Sequence, residues 1–205
     1  MKDTKNTKEK ILETALELFA ANGYEGVSVS DIAGSLGMSK GALYKHYKNK
    51  QDILDSIILR MEEMDYERAK DFSMPWDIVT SPVLSPEQKS TKMERLIEYS
   101  KAQLKYWTED PFASAFRRML TLEQYRSPKM MELYQQYLAW GPLDYVAYIF
   151  TECGSLNSER DALLFYGPMF LLYSVFDRAE DEEDREAANA LAENYFEEAE
   201  KWNFE

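Results

Sequence analysis

Apolar residues recur every three or four positions along almost the whole chain, and clear alternating runs are absent, so the pattern predicts helices and no sheet. The first helix carries Ile11, Leu12, Ala15, Leu16 and Phe19 on one face and stops at Asn22-Gly23, where glycine can take the left-handed conformation that closes a helix. Ser28 opens a short second helix, with Asp31 three positions on to complete a capping-box pair, and this helix ends near Leu36-Gly37. Ser39 caps a third short helix that reaches about His46. Asn49 starts a fourth, extending to about residue 68, in which Ile53, Leu54, Ile57, Ile58 and Met61 form an apolar stripe.

Residues 71–85 break the pattern with two prolines and read as a loop. Ser85-Pro86 is an N-cap followed by proline at the first helical position, and Asp110-Pro111 and Ser127-Pro128 repeat that start signal. The helix after Ser85 carries Met93, Leu96, Ile97, Leu104 and Trp107. Gly141-Pro142 and Gly167-Pro168 interrupt two later segments, ending near Glu152 and Asp177, and predict a kink in each. A final helix shows Ala188, Leu191, Ala192, Tyr195, Phe196 and Ala199. The expectation is an all-α fold of about nine helices without internal repeats. Residues 1–50 would form an N-terminal three-helix domain, and 51–205 a larger helical domain.

Composition narrows the chemistry. A single cysteine, Cys153, leaves no internal disulfide and is expected to be a small core residue. A single histidine, His46, leaves no His/Cys cluster for a metal. No phosphate-cradling glycine loop, GxSxG elbow or nucleophile–base pair is present, so neither an enzyme nor a cofactor is expected. No apolar run is long enough for a membrane span and the first residues lack a signal core, which reads as a cytoplasmic protein with no membrane partner. The net charge of −13 appears wrong for a nucleic-acid binder until it is divided: residues 1–50 carry +2 and residues 51–205 carry −15. Lys40, Lys45, Lys48 and Lys50 fall within eleven residues of the near-neutral part, a local positive footprint of the kind phosphate contact requires.

Short helix, Leu36-Gly37-Met38 turn, short helix is the layout of a helix-turn-helix. Gly37 sits where a positive φ reverses the chain, and Ile32, Ala33, Leu36, Met38 and Leu43 supply a minicore. The third helix turns Lys40, Gly41, Ala42, Tyr44, Lys45 and His46 outward. Gly41 and Ala42 lack the bulk that would keep the helix from base edges in a major groove, and Tyr44 and Tyr47 offer hydroxyls to phosphates. Lys50 adds charge at the start of the fourth helix.

The run GYEGVSVSDIAGSLGMSKGALYKHYKNKQDIL, residues 23–54, resembles the DNA-binding segment of the TetR/AcrR family of repressors. The likeness lies in Gly23-Tyr24, Ser28, Asp31-Ile32-Ala33, Gly37-Met38-Ser39, Leu43-Tyr44, Tyr47 and Asn49-Lys50, and covers roughly the first 60 residues. It implies that Ser28 caps the second helix and touches a phosphate. Ser30, Lys40, Gly41 and Tyr44 would lie against bases or adjacent backbone, while Tyr44, His46, Tyr47 and Lys50 would clamp phosphates. Val27 and Ser30 depart from the family pattern, lacking a hydroxyl and a longer polar chain respectively. Other readings stay open: Tyr47 as minicore, His46 as a surface residue, Lys45 and Lys48 as solvated charge.

The resemblance also implies a homodimer on double-stranded operator DNA, most simply a repressor of a palindromic site released by a small organic effector; the alternative is an effector-independent architectural or partner-binding DNA-binding protein. The effector cavity would lie among the helices between about residues 85 and 175, where aromatic residues are dense. Tyr99, Gln103, Trp107, Phe116, Tyr137, Trp140, Tyr145 and Tyr166 are its expected lining, although aromatics at helical spacing also suit a core. Phe165, Met169, Leu172 and Phe176 on one helix, with Leu191, Tyr195 and Phe196 on the last, are the expected dimer faces.

Overall fold

The structure is a computed structural model that describes residues 2–71 and 85–202, with side chains from Asn6 onward. Within those residues it holds ten helices and no strand: α1 (Lys2–Asn22), α2 (Val29–Ser35), α3 (Lys40–Leu43), α4 (Lys50–Asp71), α5 (Pro86–Glu109), α6 (Pro111–Glu123), α7 (Pro128–Leu138), α8 (Trp140–Cys153), α9 (Ser158–Arg178) and α10 (Glu182–Ala199). Of the loop expected at 71–85, residues 72–84 lie outside the described residues.

The tenth helix arises at the first of the two glycine–proline pairs. Pro142 has no N–H to continue a helix, and the chain breaks at Ala139 (φ −129°, ψ −94°), which puts Pro142 in the first turn of α8, where no N–H is needed. The second expected kink differs: Pro168 sits inside α9, which continues as one helix from Ser158 to Arg178. The start signals hold. Ser85 accepts from the Gln88 N–H while the Gln88 side chain accepts from the Ser85 N–H, with Pro86 in the first turn, and the Ser127 hydroxyl accepts from Met130.

The helices gather into two compact units. The first comprises residues 1–67 and 111–134. Its centre is the α1 stripe of Ile11, Leu12, Ala15, Leu16 and Phe19, packed against α6, which contributes Phe112, Phe116, Met119 and Leu120. The α4 stripe of Ile53, Leu54, Ile57, Ile58 and Met61 is buried as well. Arg60 ties three of these helices together: its guanidinium bonds to Glu9 at 2.7 Å and lies 4.0 Å from the Phe112 ring. The second unit comprises residues 68–110 and 135–205, with α9 packed against α8, α10 and α5. Phe150 and Phe165 meet edge to face at its core with Trp202 against them, ring centroids 5.6 to 6.0 Å apart. Packing therefore divides the chain differently from the chain-order boundary at residue 50, because α1 needs the apolar face of α6 to cover it. No described helix is long and apolar enough to cross a membrane.

Candidate DNA interface

The turn between α2 and α3 is built from local sequence. Ser28 accepts from the Asp31 N–H at 3.2 Å while the Asp31 carboxylate accepts from the Ser28 N–H at 2.7 Å, closing a capping box. Those bonds from Ser28 hold the Asp31 carboxyl below the usual carboxylate range. At the far end Gly37 takes φ +62°; its N–H reaches the Gly34 carbonyl at 3.0 Å and the Met38 N–H reaches Ala33 at 2.9 Å. This is a Schellman closure, which requires a left-handed residue at the position of Gly37. Ser39 then caps α3 through the Ala42 N–H. The regular part of α3 is shorter than the expected span to His46: after Leu43 the chain tightens into a turn held by Lys45 to Ala42 and His46 to Leu43 bonds.

Of the ten residues expected at DNA, Ser28, Ser30, Lys40, Gly41, Tyr44 and Lys45 are exposed and Ala42 and His46 half-buried. Tyr44 stands 45% exposed beside Lys40, whose ammonium is 5.8 Å from its ring. Nothing lies within 4 Å of where a side chain at Gly41 would begin, and its φ is not positive. A glycine inside a helix costs about 1 kcal/mol relative to alanine, and the protein's own packing gives no reason for it here.

Two of the ten are placed differently from the phosphate clamp that the resemblance implied. Tyr47 is buried, its hydroxyl donating to the Lys8 carbonyl at 3.4 Å, so the minicore alternative describes it. Burial, reinforced by Glu9 and Asp52, pushes its hydroxyl up to about 12. Lys50 turns inward: its ammonium donates to the Tyr24 carbonyl at 2.8 Å, sits 4.2 Å from the Tyr24 ring and lies 3.7 Å from Glu25. It anchors the α1–α2 turn, because a cation beside a carbonyl and an aromatic face is well satisfied without DNA.

The same turn is held from the opposite side by a residue that the pattern did not flag. Glu123, buried at the end of α6, accepts from the Tyr24 N–H at 3.0 Å and from Arg126 at 2.8 Å. Gly23 suits that position by its φ of +75°, and a Cβ there would displace the ends of the Arg126 and Glu123 side chains. A Glu at a helix end carries no special signal; its role depends on a contact with a residue 99 positions away.

The eight residues expected around an effector do not assemble into one lining. Phe116 belongs to the core of the first unit. In the second unit Trp140 is 63% exposed on α8. Trp107 and Tyr137 are buried against each other, and Tyr166 is buried with its hydroxyl on the Leu138 carbonyl. These three suit the core alternative. Tyr99, Gln103 and Tyr145 do come together, and they bring Arg68 with them: Gln103 donates to the Tyr99 oxygen at 2.6 Å, accepts from Arg68 at 3.1 Å, and the Tyr99 and Tyr145 rings are 6.4 Å apart. Elsewhere in the unit, an open groove of about 940 Å³ runs past Lys89, Met93, Ile97, Cys153 and Trp202, and none of the eight residues lines it. Cys153 is buried at its edge and burial pushes its thiol up, which keeps it unreactive.

The expected dimer faces need correction. Phe165, Met169, Leu172, Phe176 and Phe196 are buried within the second unit, and the Tyr195 hydroxyl is occupied by the Phe165 carbonyl. On α9 the exposed apolar residues are instead Leu163, Leu164, Phe170 and Leu171, and on α10 Leu191 is exposed. Both faces of α9 are apolar, and the larger aromatic one is turned inward.

The likeness to known proteins falls on this exposed, basic, slim α3. The family model for bacterial regulatory proteins of the tetR family matches residues 11–57, which hold the whole motif. Residues 11–57 are therefore similar to the DNA-binding segment of the tetR family. The curated relatives that match it are named as HTH-type transcriptional regulators. Among curated relatives, the HTH-type transcriptional regulator TtgW of Pseudomonas putida is 28% identical over 94 residues, 42% of this chain and 70% of TtgW. IcaR of Staphylococcus epidermidis, a negative regulator of the biofilm operon icaADBC, is 44% identical over 46 residues, 22% of this chain and only 25% of IcaR. Against another, SrpR of Pseudomonas putida, the match spans 44% of the relative's length. The fold likeness extends much further. The fatty acid degradation regulator FadR of Bacillus halodurans superposes with a TM-score of 0.58 over 94% of this chain and 93% of its own, at 17% identity.

Proposed function

We propose that this protein is a TetR-type, ligand-responsive repressor that grips a palindromic operator as a homodimer and lets go when a small organic effector binds. The observation that carries the DNA half is α3, with Gly41 clear of every neighbour and Lys40, Tyr44 and Lys45 exposed around it. A helix missing a side chain on its outer face can approach base edges, while the flanking polar groups hold phosphates. Ser28, Ser30, Ala42 and His46 lie on the same short stretch of chain and complete the proposed contact set.

Two such helices must be about 34–36 Å apart to enter successive major grooves, which makes dimerisation part of the function. The exposed row Leu163, Leu164, Phe170, Leu171 and Leu191 supports pairing of α9 and α10 with the same helices of a second copy. The helix α4 begins in the first unit and ends in the second, so an effector that prefers one arrangement of its far end can alter the spacing of the DNA-binding helices. It must bind that arrangement more tightly than the operator-bound one, since equal affinity shifts nothing.

The test is selection of bound fragments from random duplex DNA by the full chain. An inverted repeat with half-sites one helical turn or a small multiple apart is the expected result; a single half-site, or no retained duplex at low salt, would refute the reading. Leu171→Glu should yield a folded monomer whose operator affinity falls about a hundredfold, measured by sedimentation and by anisotropy, because one half-site remains.

A further inference from the structure

We propose that Arg68, with Gln103, Tyr99 and Tyr145, is the seat for an anionic head group, and that the effector is an organic carboxylate or similar singly charged anion on an apolar body. The inference rests on the reading of the protein as ligand-responsive and supplies the chemistry which that reading lacks.

Hydrogen-bond direction carries the argument. A guanidinium has five N–H donors and no acceptor. Arg68 spends three: Nε and Nη2 reach Gln103 Oε1 at 3.3 and 3.1 Å, and Nη2 also reaches the Ala102 carbonyl at 3.0 Å. These bonds go to α5, so the arginine is not capping its own helix at the end of α4. Both N–H groups of Nη1 remain, and among the described residues no carboxylate lies within ion-pair distance of this cation. The Tyr106 ring covers the guanidinium at 4.0 Å, which partly removes it from water. A half-buried, unpaired cation favours an anion that brings its own charge.

Gln103 is oriented by the same logic. Its oxygen must face Arg68, so its amide nitrogen must donate, and it does so to the Tyr99 hydroxyl. The Tyr145 ring is 6.4 Å from that of Tyr99, and the Tyr145 hydroxyl is buried with no hydrogen-bond partner. Burial first, then the neighbouring Tyr99 and Tyr148, keep that hydroxyl protonated well beyond neutral pH. It is a standing donor awaiting an acceptor, and buried polar groups without partners are rare enough to require an occupant. A carboxylate uses both features at once: charge for Arg68 Nη1 and a lone pair for Tyr145. The aromatic rings around them suit an apolar body.

The experiment uses the full chain and matched pairs of probes, phenylacetate with phenylacetamide and octanoate with octanamide, titrated by calorimetry, with anisotropy on the selected operator in parallel. In the wild-type protein each carboxylate should bind at least about tenfold more tightly than its amide. Arg68→Met should erase that difference and Arg68→Lys should keep part of it. Tyr145→Phe should weaken carboxylate binding about fivefold while raising the Tm of the free protein, since an unsatisfied hydroxyl is removed. Should Arg68→Met fail to fold, the lysine and phenylalanine variants still decide the matter. Equal affinity within both pairs, no carboxylate binding at all, or a preference that survives in Arg68→Met would overturn the anion seat. A neutral compound that releases DNA equally from wild type and Arg68→Met would remove the seat and leave the effector reading intact. A carboxylate held by Arg68 without any change in operator affinity would do the reverse.

Discussion

The two units of this protein were built under different constraints. In the first, the residues that face outward are set by rules acting over three or four positions: Ser28 with Asp31, Ser39 with Ala42, Gly37 closing one helix before the next begins. In the second, outward and inward are decided by which of two apolar faces on α9 finds a partner, a matter of long-range packing. Local signals suffice to place the first set of residues; only packing places the second.

Four substitutions sharpen that contrast, in order of expected size. Phe165→Ala, in the interior of the second unit, should cost about 3–5 kcal/mol in denaturant unfolding, as a large cavity does. If Phe165 faced a partner copy instead, the variant would be a well-folded monomer. Glu123→Ala should cost about 1–3 kcal/mol and also weaken operator binding, because it strands the Tyr24 N–H, while the more exposed Arg126 stays solvated. Unchanged DNA affinity would mean that the α1–α2 turn holds its position unaided. Gly41→Leu should lower operator affinity ten- to hundredfold yet raise stability by roughly 0.5–1 kcal/mol, since a helical glycine in open space is replaced. A variant that still binds DNA normally would show that α3 does not enter the groove.

The smallest effect belongs to Tyr47→Phe. Removing a long hydrogen bond from a buried ring should cost less than about 1 kcal/mol and leave operator affinity within about twofold. Its signature is alkaline. The hydroxyl is raised in the folded protein, so the stability it lends is complete below its ordinary value near 10 and is lost as pH climbs towards about 12. Tyr47→Phe should flatten that limb of the unfolding curve. A strong loss of DNA binding would restore the phosphate role.

How much was legible follows from the same division. The helix starts at Ser28, Ser39, Asn49 and Ser85 could be read directly, because a capping side chain acts on its own next turn. The stripe of α1 was legible too, since only one of its faces is apolar. On α9 two apolar rows compete, and the pattern alone could not say that Phe165 goes in and Leu171 stays out. Lys50 misled for a related reason: a lysine near a helix start resembles a phosphate ligand, and only the fold shows Tyr24 already holding it. Arg68 escaped notice because a basic residue in the last turn of a helix is ordinary. Its meaning depends on Gln103, 35 positions away.

The first unit is stitched from two stretches of chain, and this bears on anyone who would graft it. A fragment cut after the helix-turn-helix would carry the whole motif but leave Ile11, Leu16 and Phe19 bare where Phe112, Phe116 and Met119 should cover them. Such a transplant would be sticky rather than specific. A working chimera has to borrow α6 along with the motif.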